Sequence, residues 1–190
     1  MDDTLLSSSV TIKKYHELEA DQEREQIADF IKERFFERYI KPLRGAPAKK
    51  HGFCTMAISC LMIEALESFW QGWANTKGKG RQAFRSFFKR FRNHSSKLGE
   101  FSENADDFYK NVRCGILHQA ETNNGWRIRR DGPLFDQETK TINATKFHDE
   151  LEKALLDYCS ILKQTAWDSE IWINLKKKMN SVIENCRLRD

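Results

Sequence analysis

The chain has 190 residues, a length that suits one compact domain able to bury a core of its own. Apolar residues make up 39% of it, with 13 Phe and 5 Trp, which excludes an intrinsically disordered chain. The net charge of +4 is unevenly spread, because residues 77–97 contain eight basic side chains and no acidic one. Such a basic block on an otherwise acidic chain favours an anionic partner.

The sequence gives no indication of a membrane segment, a disulfide framework or a metal site. No apolar run is expected to reach the roughly 20 residues of a membrane span, and residues 1–9 lack the layout of a signal peptide, so we expect a cytoplasmic protein. The five cysteines are odd in number and none lies in a Cys-x-x-Cys pair, while His51 and Cys54 form only a lone pair. We therefore expect neither a metal nor a cofactor.

The first part of the sequence indicates a polar N-terminal segment followed by two helices. Residues 1–22 are interpreted as a polar lead-in to a single domain over residues 23–190. Apolar residues at i, i+3 and i+4 predict a helix over about 23–41, ended by the proline-containing segment that follows. A longer apolar helix is predicted over about 52–74. Glu64 lies near the middle of its apolar face, where a carboxylate should be functional or paired with an arginine of a neighbouring helix.

A flexible basic loop, Lys77-Gly-Lys-Gly80, precedes the next predicted helix. The loop lacks the Gly-x4-Gly-Lys-Ser/Thr pattern of a phosphate-binding Walker loop. The helix, over about 81–92, places four phenylalanines on one face, which predicts that they lie in the core. Its flank carries a basic ridge without any acidic residue, which a purely solvated face would usually include. The ridge consists of Arg81, Arg85, Lys89 and Arg92.

A short β segment is predicted late in the chain. Over residues 126–129, Trp and Ile alternate with Arg127 and Arg129, a period of two that predicts a strand with one basic face. With a returning strand at 140–143, residues 125–143 form a β-hairpin or an extended excursion between helices. Two further helices finish the chain. The predicted fold class is therefore an all-α bundle of five to six helices with a small β-hairpin insertion.

An arginine and a histidine stand five residues apart near the end of a fourth predicted helix, over about 103–119. They are Arg113 and His118, in the stretch Phe108-Tyr-Lys-Asn-Val-Arg-Cys-Gly-Ile-Leu-His118. RNA cleavage by internal attack needs a base for the 2′-hydroxyl, stabilisation of the charged phosphorane and a proton for the leaving 5′-oxygen. A histidine can transfer such protons near neutral pH, and an arginine can stabilise the phosphorane oxygens without a metal.

This stretch resembles the signature helix of HEPN domains (higher eukaryotes and prokaryotes nucleotide-binding), small helical bundles defined by Arg, four to six residues and His. The resemblance implies a metal-independent ribonuclease that acts as a homodimer, with Arg113 and His118 of both copies lining one cleft. Many such members belong to toxin–antitoxin, abortive-infection or CRISPR-linked defence systems, which implies an antitoxin or defence partner protein. Other members lack the motif and serve as nucleotide-binding or scaffolding modules.

Two positions depart from the family pattern. Cys114 stands where Asn or Asp is common, the polar neighbour being Asn111 instead, and Ala120 stands where one antitoxin-paired subgroup has tyrosine. Geometry adds a condition, because a five-residue step on an ideal helix separates two side chains by about 140°. A bend near Gly115, an end of the helix at the histidine, or a two-fold dimer could each bring the arginine and the histidine together.

Three functions remain open from the sequence. The first is a HEPN-type endoribonuclease with Arg113 and His118 as its catalytic pair. The second is a non-catalytic module that binds RNA or a nucleotide within a defence or toxin–antitoxin system, and the third is an interaction protein whose basic ridge meets an acidic protein. A purely structural role would pair Arg113 with Glu64 or Asp107 and leave His118 to cap carbonyls. The predicted RNA-contacting residues are Asn111, Arg127, Arg129, Arg81, Arg85 and Lys89.

Overall fold

The protein is an all-α bundle with one small β-sheet. A computed structural model describes residues 3–44, 51–94 and 96–187. In chain order, its α-helices and strands are α1 (Ile12–Ala20), α2 (Arg24–Phe35), α3 (Gly52–Gln71), α4 (Gly80–Arg90), α5 (Ala105–Phe108), α6 (Cys114–Gln119), β1 (Arg127–Arg129), β2 (Phe135–Asp136), β3 (Thr141–Asn143), α7 (Ala144–Gln164) and α8 (Glu170–Arg187).

Helix α3 is the central element of the bundle and packs against α4, α7 and α8. It ends at Gly72, whose φ of 65° is the left-handed conformation that glycine adopts at low cost. By length and composition α3 could cross a membrane, since an 18-residue window has a mean hydropathy of 1.4. This corrects the expectation that no apolar run reaches that length. However, 61% of the window is buried inside the protein, which agrees with the core helix of a soluble protein.

The four phenylalanines of α4 and the turn after it lie in the core, as predicted. Each ring is at most 1% exposed, and burying one such side chain contributes about 1.5–3 kcal/mol. The ring of Phe88 meets those of Phe108 and Phe147 edge-on, with centroids 5.2 and 6.4 Å away. This aromatic cluster joins α4 to α5 and α7. The four are Phe84, Phe87, Phe88 and Phe91.

A buried ion pair also holds α4 against α3. Arg90 Nη2 donates to Glu67 Oε1 at 2.9 Å, and the guanidinium lies 4.3 Å from the centroid of the Trp70 ring. The Glu67 side chain has no exposed surface. Burial raises the pKa of its carboxyl to about 7, although the Arg90 guanidinium opposes that shift. One cation of the basic block is therefore internal and unavailable to a partner.

The N-terminal segment belongs to the folded domain, so the prediction of a polar lead-in over residues 1–22 was wrong for its described part. Leu6, Ile12 and Tyr15 are fully buried. The segment is also tied to α2, because Ser8 Oγ donates to Glu33 Oε1 at 2.7 Å and the backbone N–H of Ser9 donates to the same oxygen at 3.0 Å. A few well-spaced apolar side chains suffice to bury a segment whose other residues are polar.

The two predicted strands exist, but they do not form a hairpin with each other, and the hairpin in this segment is formed by β2 and β3. β1 and β3 pair in parallel, with Arg127 opposite Thr141, and β2 pairs antiparallel with the other edge of β3. After β1 the chain passes around the end of β3, where Asn143 Nδ2 donates to the carbonyl of Gly132 at 3.1 Å. Gly132 has a φ of 81°, which permits that turn. β3 therefore lies between the two strands that precede it in sequence.

The helix predicted over 23–41 is less regular than its pattern indicates. α2 continues into a wider π-helical turn at Phe36–Ile40 and then into a 3₁₀ turn at Lys41–Leu43. The second proline of the predicted breaker, Pro47, lies outside the described residues. A similar π-helical turn interrupts the helix that carries Arg113.

Candidate functional site

Arg113 is held by a carboxylate from the central helix. Its Nε donates to Glu64 Oε1 at 2.6 Å, and the two side chains are 17% and 11% exposed. The predicted pairing of Glu64 with an arginine of a neighbouring helix is thus confirmed, and it is also the contact that a purely structural role of Arg113 predicts. Although partial burial opposes the change, the Glu64 carboxylate raises the pKa of the Arg113 guanidinium. Arg113 is therefore a fixed cation at the edge of the core.

Neighbouring side chains orient this ion pair. Thr76 Oγ1 donates to Glu64 Oε2 at 3.1 Å, so both carboxylate oxygens have a partner. The Arg113 guanidinium lies 5.6 Å from the centroid of the Tyr109 ring. Since Glu64 engages Nε, the Nη1 and Nη2 groups have no carboxylate partner within the described residues. Those Nη groups are the ones through which an arginine commonly grips a second anion.

His118 lies in the last turn of α6 and its side chain is exposed. In the described part of the chain it has no hydrogen-bond or ion-pair partner. The alternative in which it caps carbonyls is not observed, because backbone N–H groups fill that role. Ala120 N donates to the carbonyl of Ile116 at 3.2 Å, and Glu121 N donates to that of Gly115 at 3.4 Å. The imidazole is therefore available to solvent or to a ligand.

The backbone around the motif departs from an ideal helix, although not where the sequence indicated. A π-helical turn spans Tyr109–Arg113 and ends at the arginine, so the helix is widened before the motif rather than bent at Gly115. Gly115 is buried and serves another purpose. A Cβ there would lie 2.4 Å from the carbonyl oxygen of Glu121. The chain after α6 thus folds back across the helix at a place that only glycine permits.

Asn111 is not a surface residue, which corrects its predicted contact with substrate. It is 4% exposed, and its Nδ2 donates to Asp107 Oδ1 at 2.7 Å. Asp107 also accepts from Trp126 Nε1 at 2.9 Å and from Lys140 Nζ at 3.1 Å. Asp107 therefore joins the motif helix to the β-sheet and is not a partner of Arg113. Asn111 is part of that internal network.

The basic ridge on α4 is divided. Arg81 lies 5.9 Å from the centroid of the Tyr109 ring, on the side of the ridge nearest Arg113. Arg85 instead forms an exposed ion pair with Asp106, and Lys89 has no ion-pair partner among the described residues. The ridge itself contains no acidic residue, but Asp106 and Glu103 from another segment pair with two of its arginines. Sequence patterns within one helix cannot reveal carboxylates supplied from elsewhere.

Arg127 and Arg129 are exposed on the outer face of β1, as the alternating pattern predicted. They line an open depression of about 240 Å³. Thr139 and Thr141 also line it, and so do Asp131 and Asp136, together with Gly132 and Pro133. Its two arginines could contact a phosphate, while its two carboxylates balance their charge.

Sequence reasoning missed two residues of the site. Tyr109 could have been noticed, because it lies four residues before Arg113 and side chains at that spacing share a helix face. It also packs into a notch at Gly80, where a Cβ would lie 2.7 Å from its hydroxyl oxygen. Thr76 had no such signal, since it lies in a loop and meets Glu64 only in the folded protein. Together they connect the loop before α4 to the Arg113 ion pair.

Within residues 3–44, 51–94 and 96–187, no group of three His, Cys, Asp or Glu side chains could hold a metal ion. Comparisons of the chain with protein-family models, with curated proteins and with solved structures found no match in any of the three.

Proposed function

We propose that the protein is a metal-independent endoribonuclease of HEPN type that cleaves RNA at a cleft formed by Arg113 and His118 of two subunits. The observation that carries the proposal is the orientation of Arg113. Glu64 holds its Nε at 2.6 Å, and its Nη groups are without a carboxylate partner in the described chain. A guanidinium fixed in this way can meet a phosphate without losing further side-chain entropy.

The reaction gives proton transfer to His118 and charge stabilisation to Arg113. His118 removes the proton of the 2′-hydroxyl, and the 2′-oxygen forms a bond to phosphorus. Arg113 stabilises the charge on the phosphorane oxygens. The bond from phosphorus to the 5′-oxygen then breaks, and the His118 imidazole, now protonated, supplies the proton of the leaving group. The products are a 2′,3′-cyclic phosphate and a 5′-hydroxyl, so neither water nor a metal is consumed in this step.

A homodimer supplies what one chain lacks. On one α-helix a five-residue step separates two side chains by about 140°. A two-fold axis can place His118 of one subunit beside Arg113 of the other and so complete the site. The exposure of His118 supports this arrangement, because a partner subunit can reach the imidazole without rearranging the fold. Arg113 of one subunit and His118 of the other then act on the same phosphate.

Surface cations guide the RNA backbone in this proposal. Arg81 stands beside the Tyr109 ring that also contacts Arg113, which favours it as the nearest guide. Arg127 and Arg129 are exposed on β1, and Arg85 and Lys89 extend the surface along α4. The setting we propose is the cytoplasm, within a toxin–antitoxin or defence system whose partner protein restrains the nuclease.

One observation favours a second candidate, a non-catalytic module that binds RNA or a nucleotide. The charge of Arg113 is already balanced by Glu64, and a balanced arginine can bind phosphate without strongly stabilising a phosphorane. Binding that is never followed by cleavage distinguishes this candidate. An interaction protein for an acidic partner would bind RNA no better than another polyanion.

The deciding experiment compares the parent protein with His118→Ala on mixed RNA in EDTA. We expect the parent to cleave and to leave 2′,3′-cyclic phosphate ends, and the variant to lose at least about 100-fold in rate, as removal of a general acid or base does. Its thermal unfolding should match the parent, because His118 is exposed and unpartnered in the described chain. Equal cleavage by both proteins would remove His118 from the chemistry.

A further inference from the structure

A groove on the far part of the basic ridge contains arginines that are already bound to carboxylates. This basic groove has a volume of about 470 Å³. Arg85 Nε donates to Asp106 Oδ1 at 2.5 Å, and its Nη2 donates to the second oxygen of the same carboxylate. On the other side, Arg92 donates to Glu103. The groove is lined by Arg85, Lys89, Arg92, Ser102, Glu103, Ala105 and Asp106.

The Asp106 carboxylate occupies the guanidinium edge of Arg85 that phosphate oxygens would use. Two parallel N–H···O bonds from an arginine suit a carboxylate and a phosphate equally well. The hydrogen bonds from Arg85 also hold the pKa of Asp106 below its usual value, so the carboxylate stays ionised at neutral pH. Both side chains are well exposed, at 59% and 43%, and such pairs contribute little to stability. A phosphate can therefore replace the carboxylate without disturbing the fold.

We propose that Asp106 and Glu103 mask an RNA-binding groove and thereby restrict which anions it accepts. The inference rests on the proposed function and specifies how RNA is selected near that site. Lys89 has no ion-pair partner in the described chain, so it can make the first contact with a phosphate. A strand that continues past Lys89 then displaces Asp106 from Arg85 and Glu103 from Arg92. A short or isolated anion meets Lys89 alone and binds weakly.

The geometry favours an RNA strand over an acidic protein. Arg85 and Lys89 lie one helical turn apart, about 6 Å along the axis, a spacing comparable to that of successive phosphates in a single strand. An acidic peptide would only exchange one carboxylate for another. A polynucleotide also releases condensed counterions when it binds, which an isolated carboxylate does not. The free energy of this counterion release can offset the loss of the two ion pairs within the protein, Arg85–Asp106 and Arg92–Glu103.

The test measures binding of a labelled single-stranded oligouridine by fluorescence anisotropy, in a His118→Ala background that leaves the RNA intact. Asp106→Asn keeps the shape of the side chain and removes its charge. We expect this substitution to tighten RNA binding about threefold to tenfold at low salt. The slope of log affinity against log salt should become steeper by about 0.7, because Arg85 then gains a phosphate without freeing a carboxylate. Glu103→Gln should act in the same direction.

The matched control is Glu152→Gln, which removes one negative charge from an exposed ion pair with Arg44 outside the groove. We expect it to change RNA affinity less than twofold. If it tightens binding as much as Asp106→Asn does, only net charge matters and the mask is refuted. Unchanged affinity in Asp106→Asn, with an unfolding temperature equal to that of the parent, refutes it as well. The mask is also refuted if polyglutamate, added at the same total charge as the RNA, competes with RNA for the groove.

Cleavage separates this inference from the function on which it rests. If Asp106→Asn tightens binding while the parent never cleaves RNA, the groove stands and the ribonuclease proposal fails. If the parent cleaves RNA and Asp106→Asn binds no better, the ribonuclease stands and the mask fails.

Discussion

At the scale of single residues, the pair Glu64–Arg113 decides how the motif can act. A carboxylate that is 11% exposed needs a partner, and Arg113 meets that need through Nε alone. The same contact aims the guanidinium and balances its charge. In the proposed ribonuclease, Glu64 should thus affect the rate more than the affinity, because it positions Arg113 and is not itself one of the proposed RNA contacts.

Glu64→Gln tests that role. Glutamine keeps an oxygen for Arg113 Nε but loses the charge, so Arg113 is less firmly positioned. We expect the free energy of unfolding to fall by about 1–2 kcal/mol and kcat to fall about tenfold. KM should not rise, because one negative charge near the substrate is gone. Chemical denaturation and steady-state cleavage measure these quantities.

Glu152→Gln is the control, since its pairing with Arg44 is exposed and should affect neither unfolding nor rate appreciably. A Glu64→Gln protein with a normal kcat would show that Arg113 needs no orientation by this carboxylate.

The sequence predicted the partner of a charged residue only where that residue lies on an otherwise apolar helix face. Glu64 could be predicted to pair because its position among apolar residues is visible from helical periodicity alone. Asn111 could not be assigned correctly, since it is buried by the packing of its helix and its partner Asp107 is itself bound by Trp126 from another segment. The partner of Arg85 was equally hidden, because Asp106 comes from another segment.

At the scale of elements, the helix that carries Arg113 and His118 contains a π-helical turn and is crossed closely by the chain that follows it. The π-helical turn at Tyr109–Arg113 precedes α6, and the chain after α6 crosses Gly115 closely. Periodicity predicts that a helix exists but is insensitive to one inserted residue, so the wide turn was not predictable. The parallel pairing of β1 with β3 escaped prediction for a related reason. Alternation identifies a strand and its exposed face, but it does not name the neighbour.

Gly115→Ala tests how closely the chain after α6 crosses Gly115, because the substitution can either raise or lower the free energy of unfolding. In an ordinary helix this substitution stabilises by up to about 1 kcal/mol. Here the new Cβ would lie 2.4 Å from the carbonyl oxygen of Glu121, so the crossing segment must move. We expect the free energy of unfolding to fall by about 1–3 kcal/mol, with a loss of cleavage because His118 is displaced. Urea denaturation would measure the change, and a stabilised variant would contradict the close approach.

At the scale of the whole molecule, the helical bundle presents the motif and its cations on accessible surface. The core of α3, α4 and α7 is filled by aromatic and aliphatic side chains, so the polar groups of the site lie at its edge. Fold class and aromatic core were predictable from composition and periodicity, since both depend on many residues at once. The relation between two copies of the chain depends on surface complementarity, which no periodicity encodes.

We propose that a cleft shared by two subunits cleaves RNA with Arg113 and His118. This proposal is tested most directly by mixing Arg113→Ala and His118→Ala proteins, each inactive alone, and measuring RNA cleavage in EDTA once native mass spectrometry shows mixed dimers. If each site takes its arginine from one subunit and its histidine from the other, one site of every mixed dimer is intact, and random mixing restores about a quarter of the parent rate. Mixed dimers that form and remain inactive would contradict the account.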